Sequence, residues 1–277
     1  MSKRLANFNV VLVTIACWLA VPAVANADTS ISQNWSGYAV HATGLSFRQV
    51  SGSWKQPTAT CTQGEQTYSA FWVGLVGYSL SSNGLEQIGT EDDCATNGSE
   101  DIYAWYELVP AAPRSVRMTI KAGDLISARV QVLGAEVTLT LADRTSHKSF
   151  AKTLTDHTID VSSAEWIVEA PSECFSSAQC RALPLADYGS LQFSGASALT
   201  VSGRIGTISS SLWNATKIVL STSSGRRFVS YGWSANAGGA QSTPSALTSA
   251  GGVFTLTYSG SSGGREPLVQ GVRAHAG

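Results

Sequence analysis

Glu136-Val-Thr-Leu-Thr-Leu-Ala142 alternates apolar and polar residues without a break. Successive side chains of a strand point to opposite faces, so the pattern predicts a strand with one dry and one wet side. Leu133-Gly-Ala135 before it reads as a hairpin turn, and Ala122-Gly-Asp124 as another. Between them lies a second candidate strand, Leu125–Leu133, with the quoted stretch inside a third, Ala135–Ala142. Working outward towards the N-terminus, the same reading gives Ser36–His41, Phe47–Trp54, Tyr68–Gly74, Leu85–Glu91, Ile102–Val109 and Ser115–Ile120. Towards the C-terminus it gives Lys148–Leu154, Glu165–Glu169, Gln192–Ser194, Lys217–Leu220, Arg227–Tyr231 and Val253–Tyr258. No convincing helical period follows the first 27 residues. So many close-set strands predict an all-β, antiparallel sandwich of two large sheets.

The first 27 residues read as a secretory signal. Lys3 and Arg4 make the basic start, Val10 to Ala20 the apolar run, and Ala25-Asn-Ala27 the small-residue cleavage site. That run is shorter than the roughly 20 residues of a spanning helix, which argues against a membrane anchor. The expected product is exported and cut after Ala27, with one domain over 28–258 and a flexible Gly/Ser-containing tail over 259–277. Only Asp28–Gln33 separate the signal from Asn34-Trp35, so no long propeptide is expected. Cys17 leaves with the signal; Cys61, Cys94, Cys174 and Cys180 remain. An even count in an oxidising compartment favours two disulfides. Cys174–Cys180 would close a small loop and Cys61–Cys94 would join the flanks of the Trp72 strand, although four cysteines allow other pairings. The Cys-x5-Cys spacing without histidine nearby argues against a metal.

Charged residues make up 13 % of the chain, about half the usual share. Of 18 Lys and Arg, two go with the signal, leaving 16 against 19 Asp and Glu. That balance gives no reason to expect nucleic acid or an anionic membrane as partner. It also favours acid tolerance, since few cations remain to repel one another once the carboxylates are protonated.

Three segments carry the chemistry: Gly84-Leu-Glu-Gln-Ile-Gly-Thr-Glu91, Ile102-Tyr-Ala-Trp-Tyr-Glu-Leu-Val109 and Ala164-Glu-Trp-Ile-Val-Glu169. Each sets acids or an amide among aromatic and branched residues, where an unpaired polar group costs several kcal/mol. Their convergence on one sheet face would make a cleft. Other constellations are weaker. The Gly-x-Ser-x-Gly match at Gly260 to Gly264 sits in a Gly/Ser tail rather than on a strand-to-helix turn. His41, His147, His157 and His275 are far apart and read as surface residues. Glu91-Asp92-Asp93 reads as a solvated loop cluster, and Glu169, near Pro171, as exposed. No phosphate loop or dinucleotide fingerprint occurs, so neither cofactor nor metal is expected. Paired carboxylates also serve glycoside hydrolases. A sugar-binding or sugar-cleaving sandwich therefore stays open, although the strand pattern Glu-x-Asp-x-x-Glu is absent.

Four motifs follow one another: Trp72-Val-Gly-Leu-Val-Gly77, Leu85-Glu-Gln-Ile-Gly-Thr-Glu91, Tyr103-Ala-Trp-Tyr-Glu107 and Ala164-Glu-Trp-Ile-Val-Glu169. Together they resemble the glutamic peptidases, or eqolisins (peptidase family G1). The resemblance runs from Asn34-Trp-Ser-Gly37 and Val50-Ser-Gly-Ser-Trp54 through Leu185-Ala-Asp-Tyr-Gly189 to the Val253–Tyr258 strand. It implies a cleft on the concave face of the sandwich, catalytic Gln87 and Glu165, cleft tryptophans Trp72 and Trp105, and a supporting carboxylate at Glu107. It further implies an endopeptidase that acts on protein or peptide substrates at acidic pH; the expected state is a monomer. Ionised Glu165 would take a proton from the attacking water and pass it to the departing amine. The Gln87 amide would hydrogen-bond the developing oxyanion, a contribution of roughly 3–4 kcal/mol. The sequence departs from the family at Val76, where an aspartate is usual, at Tyr103 in another aspartate's place, and at Glu91, also an aspartate in the family. These changes spare the pair but alter its acidic surroundings.

Overall fold

The computed structural model describes residues 28–78, 84–157, 159, 161–176, 179–221, 227–228 and 239–260. The expected signal, His275, the tail beyond residue 260 and the side chains of Cys174 and Cys180 lie outside the described residues.

Nineteen strands occur among the described residues, and no helix. The first seven are β1 (Asp28–Ser32), β2 (Trp35–His41), β3 (Phe47–Lys55), β4 (Thr67–Leu75), β5 (Leu85–Cys94), β6 (Glu100–Val109) and β7 (Arg114–Thr119). Next come β8 (Leu125–Leu133), β9 (Glu136–Asp143), β10 (Lys148–Thr155), β11 (Ser163–Glu169), β12 (Ser172–Ser176) and β13 (Gln179–Ala182). The last are β14 (Ser190–Thr200), β15 (Ile205–Thr207), β16 (Asn214–Leu220), β17 (Arg227–Phe228), β18 (Gln241–Pro244) and β19 (Phe254–Ser259).

One sheet runs β7-β6-β5-β4-β11-β2-β16-β1. The other runs β15-β14-β3-β8-β9-β10, and the opening quoted stretch forms most of its β9. Strand β14 belongs to both: Ser190–Phe193 pair with β19, itself joined through β18 to the first sheet, and Ser194–Thr200 pair with β3. The main core fills the space between the sheets. Phe71, Val73, Ile88, Trp166 and Val168 face it from one side, and Val50, Trp54, Ile126, Leu139 and Leu141 from the other. Strict alternation in β9 thus has a plain cause: Val137, Leu139 and Leu141 are buried, while Thr138 and Thr140 are not.

Two expectations need correction. Asp28–Ser32, expected only as the stretch between the signal and Asn34, is a strand, and it pairs parallel to β16 and β17 within the otherwise antiparallel sandwich. The acidic run at 91–93 is not a loop: it continues β5, and Asp92 is fully buried. The Cys61–Cys94 disulfide is present. Cys174 and Cys180 stand opposite each other in the β12–β13 ladder. Of the expected strand Arg227–Tyr231, Arg227–Phe228 form β17, and the rest lies outside the described residues.

Candidate active site

Residues directly opposite in neighbouring strands share a sheet face, so the ladder register assembles the site. Across β2, β11, β4, β5 and β6 one row reads Ala39, Glu165, Gly74, Gln87, Glu107. The next reads Gly37, Ile167, Trp72, Gly89, Trp105. A third reads Trp35, Glu169, Ala70, Glu91, Tyr103. All seven expected non-cysteine site residues therefore occupy one face of four adjacent strands, the face turned away from the main core. Its apolar floor is a separate cluster that includes Trp35, Trp72, Trp105, Leu85 and Ile167. Trp35 and Trp72 meet edge to face at 4.9 Å.

Two glycines make the floor possible. A Cβ at Gly89 would lie 2.1 Å from the Phe71 carbonyl oxygen and 2.7 Å from Trp72 Cβ, so no other residue fits between the tryptophans. Gly74 separates Glu165 from Gln87. Neighbouring strands lie about 4.8 Å apart, so the backbones of that acid and amide stand roughly 9.6 Å from each other. With no side chain on Gly74, both can lean over it; a Cβ there would crowd Trp72 at 2.9 Å. β4 then ends at Leu75, and Val76 follows with φ 67°. A β-branched residue in the left-handed region is strained, by about 1–2 kcal/mol; full burial in the core holds it there. The aspartate usual at this position in the glutamic peptidases tolerates that conformation better.

Glu165 is fully buried and Gln87 is 4 % exposed. Gln87 Nε2 donates to Glu107 Oε2 at 2.6 Å, leaving Gln87 Oε1 buried without a hydrogen-bond partner among the described residues. Trp105 Nε1 is likewise buried and unpartnered among them. Glu169 is not exposed as expected. Its Oε2 accepts the Trp72 indole N–H at 2.8 Å and its Oε1 accepts Asn34 Nδ2 at 3.1 Å. Asn34 is itself buried. Four-residue spacing from Glu165 on one strand was the signal that Glu169 belongs to this face. The Tyr103 hydroxyl donates to Asp93 Oδ2 at 3.1 Å, which adds Asp93 to the acidic group. On the opposite face of β5, the Ala59 N–H is shared between Asp92 Oδ2 at 2.9 Å and Glu100 Oε1 at 3.0 Å. Among the described residues no group of three or more His, Cys, Asp or Glu is placed to hold a metal ion.

These acids are held neutral far above their ordinary range, with burial the first cause in each. Glu169 is pushed up to about 8, against the pull of the Trp35 and Trp72 indoles. Glu91 also rises to about 8, with the Asp93 charge adding to burial. Asp92 reaches about 8 through burial and Glu100, Glu107 about 7, and Asp93 about 6. A carboxyl whose folded value lies above its unfolded one binds its proton more tightly when folded. Its stabilising contribution is complete below about pH 4 and is lost as pH rises through the folded value. Five such groups predict greatest stability in acid, with the melting temperature falling on the order of 10 °C between about pH 4 and pH 8. Calorimetry across that range checks it, and an equal or higher melting temperature at the upper end would refute it.

The model of the Peptidase A4 family matches residues 33–230. Scytalido-glutamic peptidase, solved with a transition state analog inhibitor, superposes with TM-score 0.64 at 20 % identity, over 82 % of this chain and 98 % of that one. SCP-B, a member of the eqolisin family solved with the tripeptide Ala-Ile-His, gives 0.59 at 20 % identity over the same shares. Aspergilloglutamic peptidase from Aspergillus niger gives 0.52 at 23 % identity, over 70 % of this chain and 99 % of that one. These likenesses show the fold. No curated protein matches the chain.

Proposed function

Because this chain belongs to the peptidase A4 family, the eqolisins or glutamic peptidases, we propose that it is an exported endopeptidase cutting flexible protein in acid, with Glu165 and Gln87 as its catalytic pair. The observation that carries the reading is the row Glu165, Gly74, Gln87, Glu107 on one sheet face. An acid and an amide separated by a bare glycine strand can grip one water between them. Glu165 takes a proton from that water as it adds to the scissile carbonyl carbon. Gln87 donates an N–H to the oxygen on which negative charge collects. Glu165 then returns the proton to the amine as the C–N bond breaks, so no bond to the enzyme forms. Trp72 and Trp105 floor the cleft; Glu107, Glu91 and Tyr103 set its polarity. Acid operation is supported by the elevated carboxyls, which keep the cleft free of repelling charge below neutral pH.

The test is direct. The protein beginning at Asp28 is incubated with denatured casein and a quenched peptide at about pH 3 to 7, with and without EDTA and serine- or cysteine-directed reagents. Cleavage at the acid end, indifferent to all three, is expected. An inert enzyme, or one stopped by a reagent, would remove the proposal, and cleavage of polysaccharide instead would favour the sugar-acting alternative.

A further inference from the structure

We propose that Glu107 is a positioning residue which, by gaining or losing a proton, decides which end of the Gln87 carboxamide is presented to the cleft. The inference rests on the catalytic reading of Gln87 given above and adds the regulation of that site.

Gln87 and Glu107 are direct cross-strand partners on the cleft face. One end of the amide is committed: Nε2 lies 2.6 Å from Glu107 Oε2. The end left for a ligand is Oε1, buried and without a partner among the described residues. A carboxamide carries a donor end and an acceptor end of almost the same shape. An ionised carboxylate offers only lone pairs, so it can meet only the N–H end. A neutral carboxylic acid has an O–H and can meet the carbonyl end instead. Ionised Glu107 therefore holds Gln87 with Oε1 free, and lone pairs at that spot repel a developing oxyanion. Once protonated, Glu107 donates to Oε1, the amide turns over, and both hydrogens of Nε2 are released for the oxyanion. The two effects act in the same direction, and the site becomes competent as Glu107 gains its proton.

The surroundings allow that proton to be gained under mild conditions. Burial lifts Glu107 to about 7, against the pull of the Gln87 N–H. Glu165 stands two strands away in the same row, and Glu169, also on this face, feels the Glu107 charge. On the other flank Arg114 of β7 pairs with Tyr106 and so belongs to the opposite face. Glu91 and Tyr103 lie two rows along.

Activity on a quenched peptide is measured against pH for wild type and Glu107→Gln, each profile normalised to its own maximum, at a temperature where both stay folded. Glutamine never carries the charge that commits the Gln87 N–H and can offer its own N–H to Oε1 at every pH, so the alkaline limb should move up by at least about one pH unit. A coincident limb, or loss of activity at every pH, overturns the proposal. The side-chain NH2 resonances of Gln87, assigned by their absence in Gln87→Ala, give a readout in wild type that is independent of turnover and of how well Glu107→Gln folds. In wild type they should titrate with the same midpoint as the limb; resonances that do not move overturn the switch. Failure of the catalytic reading itself would show elsewhere, as cleavage retained by Glu165→Gln.

Discussion

Glu165→Gln lowers kcat at least about a thousandfold at the acid optimum, the upper part of the range for removing a general base. The substitution separates proton transfer from packing, because glutamine nearly matches glutamate in shape and Glu165 is fully buried between Ala39 of β2 and Gly74 of β4. What disappears is the ability to take a proton from water and return it to the amine. KM should stay close to the wild-type value, since the tryptophan floor and the Glu169 contacts to Trp72 and Asn34 are untouched. Stability should not fall, because a neutral amide is easier to bury than a carboxylate. Single-turnover cleavage and a thermal melt on the same preparation read both quantities. Should the variant keep more than about a tenth of wild-type kcat, the base must be sought elsewhere. Glu169, four residues along on the same face, would then be examined first.

Much of this arrangement was legible because strand periodicity and polar placement agree. Glu165 lies beside Trp166, Glu107 between Tyr106 and Leu108, and Gln87 beside Ile88, and the register turns these alternations into a shared face. Elements with weak local signal were lost. Asp28–Ser32 carries one large apolar residue, Ile31, and its pairing with β16 closes across most of the chain. Nothing in five residues could announce that. Two other short strands also gave little local signal: β15, three residues folded back on the neighbouring β14, and β18, four residues joined to β16 and β19. Three successive acids at 91–93 read as solvated because charge was weighed without a partner in view. The structure divides them between two faces, giving Asp92 to the Ala59 amide and Asp93 to the Tyr103 hydroxyl. Glu169 was misread for the same reason: its partners Asn34 and Trp72 are remote in sequence. Buried acids are the feature least visible from sequence, because their protonation is a property of the assembled site.

Gln87→Ala lowers kcat about 100- to 1,000-fold with little change in KM, the effect of deleting one oxyanion donor, worth roughly 3–4 kcal/mol. The loss should be smaller than that of Glu165→Gln, because water and the base remain and only the stabilisation of the intermediate is reduced. The deletion also strips Glu107 of the N–H that holds its carboxyl down, so the remaining activity should be less sensitive to alkali than that of wild type. Gln87→Glu sharpens the test. It places a second carboxyl where the amide now sits 2.6 Å from Glu107, and two acids so close cannot both ionise. While both are protonated, the new carboxyl can donate an O–H towards the oxyanion. With one proton between them, that donor is committed to the neighbouring oxygen. Residual activity in Gln87→Glu should therefore survive only at the acid end of the profile and vanish sooner than in Gln87→Ala as pH rises. If the alanine variant turns over as fast as wild type, the amide takes no part in stabilising the intermediate. If the glutamate variant keeps the full wild-type profile, residue 87 can carry a charge without penalty, and the oxyanion must form somewhere else on this face.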